Sequence, residues 1–332
     1  MNMKKTKNFI LSLGFIFSLG LLLPSDSYAS NQKTTTKKQV AQVKKNIKPI
    51  IKSKKISKKI QNKNIKSNIV QSKNNDSKKS YKPQNFSSPS NIKYAVFNYS
   101  NGKIYESNAM DVIWPIASLT KLMTAQVFVN NHPNLDNCTA TITEEDIDTI
   151  KGTRTKLAFN KPYSCTNLLQ VMLVASDNYA ASALARSIPG WSKSRFVSEM
   201  NKTAKKFDLQ NTTFVDSSGL SPLNKSSVYD YSKLAMNVVK NPIISDFSSK
   251  EAVYSSNKWN QQIVYRNSNR LIRLNGYDAE LSKTGYIRES GYNLVHLAYC
   301  KDNIGVIEFG ARSSEQRSNF VRGKLSKYGC AS

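Results

Sequence analysis

The chain has 332 residues, of which 39% are hydrophobic, and its formal net charge is +27 at pH 7. That length predicts about two domains. The charge is concentrated in one segment, because residues 30–91 alone hold 17 Lys and one Asp, so the basic excess does not describe a basic folded domain.

Residues 1–29 are predicted to be a secretory signal peptide. A lysine-containing start, an apolar run at residues 9–23 and small residues at the cleavage point near Ala29/Ser30 follow in order. The apolar run is shorter than the about 20 residues of a membrane span, and an uncleaved anchor is the alternative. We therefore expect secretion across the inner membrane and a periplasmic location.

Residues 30–91 are predicted to be a disordered Lys-rich linker, because charge repulsion and scarce apolar area oppose folding. Two interpretations stay open for this arm, a tether to anionic surfaces of the cell envelope and a solvated linker without a partner. The export signal and the lack of interleaved aromatic residues disfavour nucleic acid as a partner.

The folded domain is predicted to cover residues 92–332 and to begin with a β-hairpin. Strand-forming residues at 94–99 and 103–106 flank an Asn101-Gly102 turn.

The next segment predicts a nucleophilic serine at the start of a buried helix. Pro115 suits the first turn of a helix, and residues 122–129 form an apolar run. Ser118 and Lys121 are three residues apart, which puts both side chains on one face of that turn. Ser118 is the candidate nucleophile and Lys121 the candidate general base, provided that burial and a nearby cation lower the lysine pKa from about 10.4.

A helical block and a β-meander are predicted to follow. Residues 139–143 predict a strand. Helices are predicted at 168–175 with Thr166 as the cap, at 179–185, at 192–207 and at 229–239, where Asn241-Pro242 ends the last one. Strands at 281–287, 292–299 and 304–309 and a helix at 313–325 complete the chain. This order predicts an α/β fold with an antiparallel sheet flanked by helices, a mainly helical subdomain inserted between its sheet-forming halves, and a site in the cleft.

Three short motifs lie at boundaries of these predicted elements. They are Ser118-x-x-Lys121, Ser176-Asp177-Asn178 and Lys283-Thr284-Gly285. The first pattern alone is weak, because Ser-x-x-Lys also occurs elsewhere in the chain, but the set in this order is typical of penicillin-binding proteins and serine β-lactamases.

Each residue type suits one task in acyl transfer. The Ser176 hydroxyl can relay a proton to the leaving amine, and Asn178 can bridge the substrate amide and the base. The alternative for both residues is ordinary helix capping. Lys283 is the candidate second cation, and with Thr284 it can bind a substrate carboxylate. The assignment is completed by Gly285, which permits close backbone approach, and by the backbone N–H groups of Ser118 and Tyr286 as an oxyanion hole.

The four cysteines, Cys138, Cys165, Cys300 and Cys330, all follow the export signal. An even number in an oxidising compartment predicts disulfides, with three possible connectivities. We expect Cys138–Cys165 and Cys300–Cys330, because each pair is local in sequence.

The only two histidines are His132 and His296, and no Cys-x-x-Cys occurs. A Ser-His-Asp triad and a metal site are therefore poorly supported, and we expect neither a metal nor a cofactor. His296 lies in an apolar run and is expected to be a hydrogen-bonded strand residue.

The domain resembles the low-molecular-mass penicillin-binding proteins, which are serine D-alanyl-D-alanine peptidases of family S11. The resemblance covers about residues 92–328 and depends on four stretches, at 115–125, 176–178, 213–220 and 283–293. Residues 146–153 and Asn267-x-Asn-Arg-Leu271 make the chain most similar to the soluble endopeptidases of that group. The chain departs from the family pattern at Ser217, where the family has proline, and we expect this position not to touch the catalytic residues.

The resemblance implies a transpeptidase/β-lactamase-like fold and cleavage of D-alanine-containing cross-links in peptidoglycan through an acyl-serine. It also implies that β-lactam antibiotics are covalent inhibitors. Three alternatives stay open: a D-alanyl-D-alanine carboxypeptidase acting on stem pentapeptides, a serine β-lactamase, and an inactive wall-binding protein. The β-lactamase is disfavoured because no clear Glu-x-x-x-Asn element lies between the second and third motifs.

Overall fold

The structure is a computed structural model, and it describes residues 92–132 and 134–330. The signal peptide expected at residues 1–29 and the linker expected at 30–91 lie outside the described residues and stay predictions. Within the described part, no helix combines the length and the apolar character that a membrane crossing needs.

The described part contains both strands and helices, with most of the helices between the first and the last strands. In chain order they are β1 (Lys93–Asn98), β2 (Ile104–Asn108), β3 (Trp114–Pro115), α1 (Thr120–Asn131), β4 (Thr139–Thr141), β5 (Pro162–Ser164), α2 (Cys165–Val174), α3 (Asn178–Ser187), α4 (Lys193–Lys206), β6 (Lys225–Ser226), α5 (Val228–Val238), α6 (Pro242–Ser249), β7 (Ala252–Ser256), β8 (Gln262–Arg266), α7 (Arg270–Asn275), β9 (Leu281–Ile287), β10 (Gly291–Tyr299), β11 (Asn303–Ala311) and α8 (Ser314–Lys327).

One antiparallel sheet of five strands organises the fold, in the order β2-β1-β11-β10-β9. The first two strands are the predicted hairpin, and the last three are the predicted meander. The two ends of the chain's folded part therefore meet in one sheet, with the helical region between them in sequence. This arrangement confirms the predicted α/β class, and it leaves β9 as an edge strand.

Successive residues of the central strands face two separate cores. Phe97, Val295 and Ile307 pack with the helical region, whereas their neighbours Val96 and Val306 pack under α8. Because both faces are covered, these strands are apolar on both sides, and their sequences show continuous apolar runs instead of alternation.

Helix α1 lies at the centre of the larger core. Its residues from Thr120 to Val129 are all buried, including the polar side chains of Lys121 and Thr124. A helix that is buried all round needs an internal partner for each polar side chain. The partners of Lys121 form the site described below.

The helical region is confirmed, with corrections at its boundaries. The cap of α2 is Ser164 and not Thr166, since the Ser164 hydroxyl accepts from the backbone N–H of Asn167. The interpretation of Asn241-Pro242 as a helix end missed α6, which Asn241 caps and in which Pro242 occupies the first turn. The prediction also missed the β7–β8 hairpin and the short helix α7.

Two disulfides link segments that lie at the ends of strands and helices. Cys138 and Cys165 join the segment before β4 to the start of α2, with the Cα atoms 5.3 Å apart. Cys300 and Cys330 join the β10–β11 turn to the segment after α8, at 4.9 Å. These are the two local pairs that were expected.

Candidate active site

Ser118 lies on a 3-10 turn, Ala117–Leu119, that leads directly into α1. The turn starts from Ala117 at a φ of 51°, a left-handed conformation that is unfavourable for a residue with a side chain. The spacing of three residues then brings the Lys121 Nζ atom to 2.9 Å from Ser118 Oγ. Ser118 itself stays partly exposed, whereas Lys121 is fully buried.

The Lys121 amine has three oxygen neighbours. Besides Ser118 Oγ, its Nζ lies 2.6 Å from Oδ1 of Asn178 and 2.6 Å from the backbone carbonyl of Ser218. The Asn178 side chain is held in turn, because its Nδ2 donates to Thr153 Oγ1 at 2.9 Å. The first two sequence motifs therefore meet at one nitrogen atom.

Burial lowers the pKa of Lys121 to about 7, against the carboxylates of Asp216, Asp177 and Asp148, which raise it. The expected contribution of a second cation to this pKa is not seen. Instead, the positive charge of Lys121 lowers the pKa of Lys283. A lysine with a pKa of about 7 is substantially neutral at physiological pH and can act as a base.

Lys283, in the third motif, is hydrogen-bonded to Ser176, in the second. It lies on the edge strand β9, is fully buried, and donates from Nζ to Ser176 Oγ at 2.8 Å and to the Thr284 carbonyl at 3.1 Å. Burial first, and then the charges of Lys121 and Arg317, hold the pKa of Lys283 well below its usual value. Ser176 has a φ of 64°, because the chain turns sharply between α2 and α3 at this residue.

The rest of the third motif lies along the same strand. The Thr284 hydroxyl donates to Ser268 Oγ at 2.7 Å, and Tyr286 is about half exposed, with its ring 4.3 Å from that of Tyr292 between centroids. A Cβ atom on Gly285 would lie 2.8 Å from the Ile116 carbonyl oxygen. Strand β9 therefore runs directly past the nucleophile turn.

Residues 213–220 entered only the family resemblance, and the sequence alone assigned the loop at residues 216–220 no role at the site. One Asp216 oxygen accepts from the backbone N–H groups of Ser218 and Gly219, which fixes the loop. Gly219 has a φ of 82°, and a Cβ atom there would lie 1.9 Å from the carbonyl oxygen of Ala117. An Asp three residues before a Gly is a turn signal that could have indicated this loop.

The expectation that Ser217 does not touch the catalytic residues agrees with its hydrogen bonds to described residues, which go to Thr124 and Ala181, although its loop lies next to Lys121. Its carbonyl oxygen accepts from the Thr124 hydroxyl at 2.6 Å, and the next residue, Ser218, supplies the carbonyl that Lys121 contacts. The departure from the family pattern therefore stands in the loop that holds the lysine.

His296 is a buried strand residue, as expected. Its ring nitrogens lie 3.1 Å from Asn269 Nδ2 and 3.0 Å from the Asp278 carbonyl, and burial lowers its pKa to about 4. Within residues 92–132 and 134–330, no group of three or more His, Cys, Asp and Glu side chains is placed to hold a metal ion.

The fold and this arrangement of serine and lysines define a class of protein, the serine acyl-transfer enzymes of the penicillin-binding type. Within that class, residues 77–309 match the family Peptidase S11, described as D-alanyl-D-alanine carboxypeptidase, and the chain belongs to this family. The resemblance seen in the sequence is confirmed, and the chain is a serine-type D-Ala-D-Ala peptidase.

Two relatives carry the name D-alanyl-D-alanine endopeptidase. The one from Haemophilus influenzae is 47% identical over 240 residues, which cover 71% of this chain and 81% of that protein. The one from Escherichia coli K12 is 31% identical over 201 residues, which cover 60% of this chain and 64% of that protein, just under two thirds of its length.

Solved structures share the fold. A mutant of the Streptomyces K15 DD-transpeptidase has a TM-score of 0.63 at 25% identity, over 71% of this chain and 96% of that one. The D-alanyl-D-alanine carboxypeptidase DacD from Francisella tularensis has a TM-score of 0.64 at 23% identity, over 74% and 71% of the two chains.

Proposed function

We propose that the protein is a serine D-alanyl-D-alanine endopeptidase that opens D-alanine-containing cross-links in peptidoglycan through an acyl-serine. The observation that carries the proposal is the buried Lys121 amine 2.9 Å from the Ser118 hydroxyl. The choice of cross-links over free stem pentapeptides follows the name endopeptidase that three relatives carry, at 47%, 32% and 31% identity.

Acylation begins with the neutral form of Lys121. A neutral amine has two N–H groups and one lone pair. The N–H groups are satisfied by Asn178 Oδ1 and the Ser218 carbonyl, so the lone pair faces the Ser118 hydroxyl. Lys121 takes the hydroxyl proton while Ser118 Oγ bonds to the D-alanine carbonyl carbon. The resulting tetrahedral oxyanion is assigned to the backbone N–H groups of Ser118 and Tyr286.

Collapse of that intermediate breaks the peptide bond and leaves an ester on Ser118. The departing amine needs one proton, and we assign its delivery to the Ser176 hydroxyl, which is held by Lys283 at 2.8 Å. Thr284 and Lys283 are assigned to the carboxylate of the leaving peptide, and Asn178 to the amide of the acyl peptide. The proton that Lys121 took from Ser118 restores the Ser176 hydroxyl. Water then hydrolyses the ester, with the neutral Lys121 again as the base.

Labelling with fluorescent penicillin tests the nucleophile. We expect labelling of the wild type and its loss in Ser118→Ala, with Ser30→Ala as the matched control that keeps the label. No labelling of the wild type would favour an inactive wall-binding protein. Rapid turnover of nitrocefin would favour a β-lactamase, because we expect β-lactams to acylate Ser118 and to remain bound.

Digestion of purified muropeptides tests the substrate. Cross-linked dimers should be converted to monomers faster than pentapeptide monomers lose their terminal D-alanine. The reverse preference would establish a carboxypeptidase, the name that other relatives carry.

We further propose a periplasmic location and three segments: a signal peptide at 1–29, a linker at 30–91 and the peptidase domain at 92–332. The basis is the sequence pattern of the first segment and the 17 Lys of the second. Sedimentation with anionic vesicles, compared with and without residues 30–91, tests whether the arm binds anionic envelope surfaces.

A further inference from the structure

A surface of aromatic and cationic side chains is formed by the β7–β8 hairpin and the segment 154–163 that contacts it. The segments 154–163 and 252–266 hold no Asp or Glu but five cations, which are Arg154, Lys156, Lys161, Lys258 and Arg266. Lys161 joins the two segments, since its Nζ donates to Ser256 Oγ at 3.1 Å and to Asn260 Oδ1 at 2.5 Å. We call these two segments the hairpin surface.

The hairpin exposes two of its aromatic rings. Paired residues of antiparallel strands point to the same side of the pair, and the next pair points to the other side. Val253 and Tyr265 are paired and buried, so the pair of Tyr254 and Val264 faces solvent, and Tyr254 is 62% exposed. Trp259, at the tip, is 69% exposed. Two large rings that the fold leaves in water on one hairpin indicate a contact surface.

The tip of the hairpin is ordered before any ligand arrives. Asn257 Oδ1 accepts from the backbone N–H groups of Trp259 at 2.9 Å and of Gln261 at 3.0 Å. Lys258 Nζ lies 4.4 Å from the centroid of the Trp259 ring, which places a positive charge beside the exposed indole. A tip that is already in place loses little conformational entropy on binding.

The base of the hairpin reaches the reaction centre. Strand β8 ends at Arg266, and two residues later the Ser268 hydroxyl accepts from Thr284 Oγ1 at 2.7 Å. The backbone N–H of Ser268 also donates to the Val174 carbonyl at 2.8 Å, at the end of α2. A strand rises about 3.4 Å per residue, so the five residues of β8 place the tip about 14 Å from the base. Only an extended ligand contacts both the third motif and the tip.

The chemistry of this surface fits a glycan strand that carries peptides. A pyranose ring has a face of C–H groups, and these pack against the electron-rich face of an aromatic ring. The stem peptides of such a strand carry free carboxylates, which are complementary to the cations Lys258 and Arg266. Sugar faces and carboxylates therefore occur together in one polymer, as aromatic rings and cations do on the hairpin surface.

We propose that the hairpin surface binds a glycan strand of peptidoglycan, with sugar rings stacked on Tyr254 and Trp259 and stem carboxylates paired with Lys258 and Arg266. The proposal rests on the proposed function, in which peptidoglycan is the substrate. Because the base of the hairpin is joined to Thr284, a strand held on the surface keeps its stems close to the cleft, and the cross-link is cut on a polymer that is already bound.

Co-sedimentation with insoluble peptidoglycan sacculi tests the surface. The full chain is used with Ser118→Ala, so that the sacculi are not digested, and the Lys-rich arm is common to all variants. We expect Tyr254→Ala/Trp259→Ala to raise the Kd about tenfold. Tyr299→Ala removes a ring on β10 that is as exposed as Trp259, at 69%, and this matched control should change the Kd less than twofold.

The charges are tested in the same assay. Lys258→Gln/Arg266→Gln should raise the Kd about threefold at low salt, and this difference should disappear in about 1 M NaCl, because salt screens exposed charges.

Two further readouts assign the effect to the sugar. Glycan strands that an amidase has freed of their stems should compete with sacculi, whereas free stem peptides should not. With Ser118 restored, Tyr254→Ala/Trp259→Ala should slow the cleavage of intact sacculi about tenfold at sacculus concentrations below the Kd. Cleavage of cross-linked stem peptides without sugars and acylation by penicillin should change less than twofold.

An unchanged Kd in the double aromatic variant would overturn the proposal, as would stem peptides that compete as well as glycan strands. A single-stranded oligonucleotide whose binding falls as much as that of sacculi in this variant would also overturn it, because the surface would then be unselective for anionic polymers. Failure of the proposed function looks different: sacculi would bind through the hairpin, but cross-links would not be cleaved. Thermal unfolding shows whether each variant is folded, and Trp259→Ala alone retests the tip if the double variant is not.

Discussion

In the proposed mechanism, the pKa of Lys121 sets the pH range in which acylation is fast. Burial lowers this pKa from 10.5 to about 7, a difference of about 3.5 units or about 5 kcal/mol. At pH 7 about half of the Lys121 population is then neutral, compared with about one in 3,000 for an unshifted lysine. A neutral lysine is therefore available as a base for Ser118 at neutral pH only because the fold buries Lys121.

The second-order rate constant for labelling by fluorescent penicillin measures this effect. It should rise about tenfold from pH 5 to pH 6 and about fivefold from pH 6 to pH 7, and above about pH 8 it should reach a plateau. Lys121→Arg keeps a cation but cannot supply a neutral base, so labelling should fall by at least about 100-fold at every pH. A wild-type rate that still rises tenfold per unit beyond pH 9 would refute the assignment of Lys121 as a base with a lowered pKa.

The lowered pKa of Lys121 provides a base at neutral pH, but it also makes the folded state less stable at low pH. Between pH 7 and 10.5 the unfolded chain binds a proton at this lysine and the folded chain does not, so stability rises with pH through that window. Below about pH 7 the full destabilisation, about 5 kcal/mol, is present. Urea unfolding at pH 6 and pH 8 should show a gain at the higher pH that is smaller in Lys121→Arg.

Three further substitutions test the surroundings of the site. Gly219→Ala places a methyl group 1.9 Å from the Ala117 carbonyl oxygen, so penicillin labelling should fall at least about 100-fold. Asp146→Ala removes a fully buried carboxylate of an ion pair and should lower the free energy of unfolding by about 2–3 kcal/mol in urea. Loss of the exposed pair in Asp208→Ala should have a much smaller effect. Cys138→Ser opens a disulfide with a sequence separation of 27, and the expected loss in the same assay is about 3–4 kcal/mol.

The sheet and the site motifs could be predicted from sequence because their signals are local. The strands of the meander are apolar runs between turn residues, and the observed β9 has the predicted bounds, Leu281–Ile287. The three motifs lie where elements meet. Ser118 and Lys121 are close in space even though Ser118 lies on a 3-10 turn and not on the predicted α-helical turn. Local spacing is therefore enough to place these side chains.

The missed features depend on contacts between distant segments. Gly219 matters because its loop passes against the nucleophile turn about a hundred residues earlier, which no local pattern encodes. The strained backbone of Ala117 and Ser176 is likewise imposed by packing, since neither residue type favours a positive φ. Helix α6 was missed for a different reason. Proline is compatible both with the end of one helix and with the first turn of another, so Pro242 alone does not distinguish the two.

The charged neighbours of the two lysines act on their pKa values in opposite directions. Asp216 and Asp177 raise the pKa of Lys121 against its burial, whereas the charges of Lys121 and Arg317 lower the pKa of Lys283 in addition to its burial. In the proposed reaction, Lys121 takes one proton from Ser118, and Ser176 gives one proton to the departing amine. The proton that Lys121 takes therefore balances the proton that Ser176 gives, and the lysine that activates the nucleophile also supplies the proton that restores Ser176.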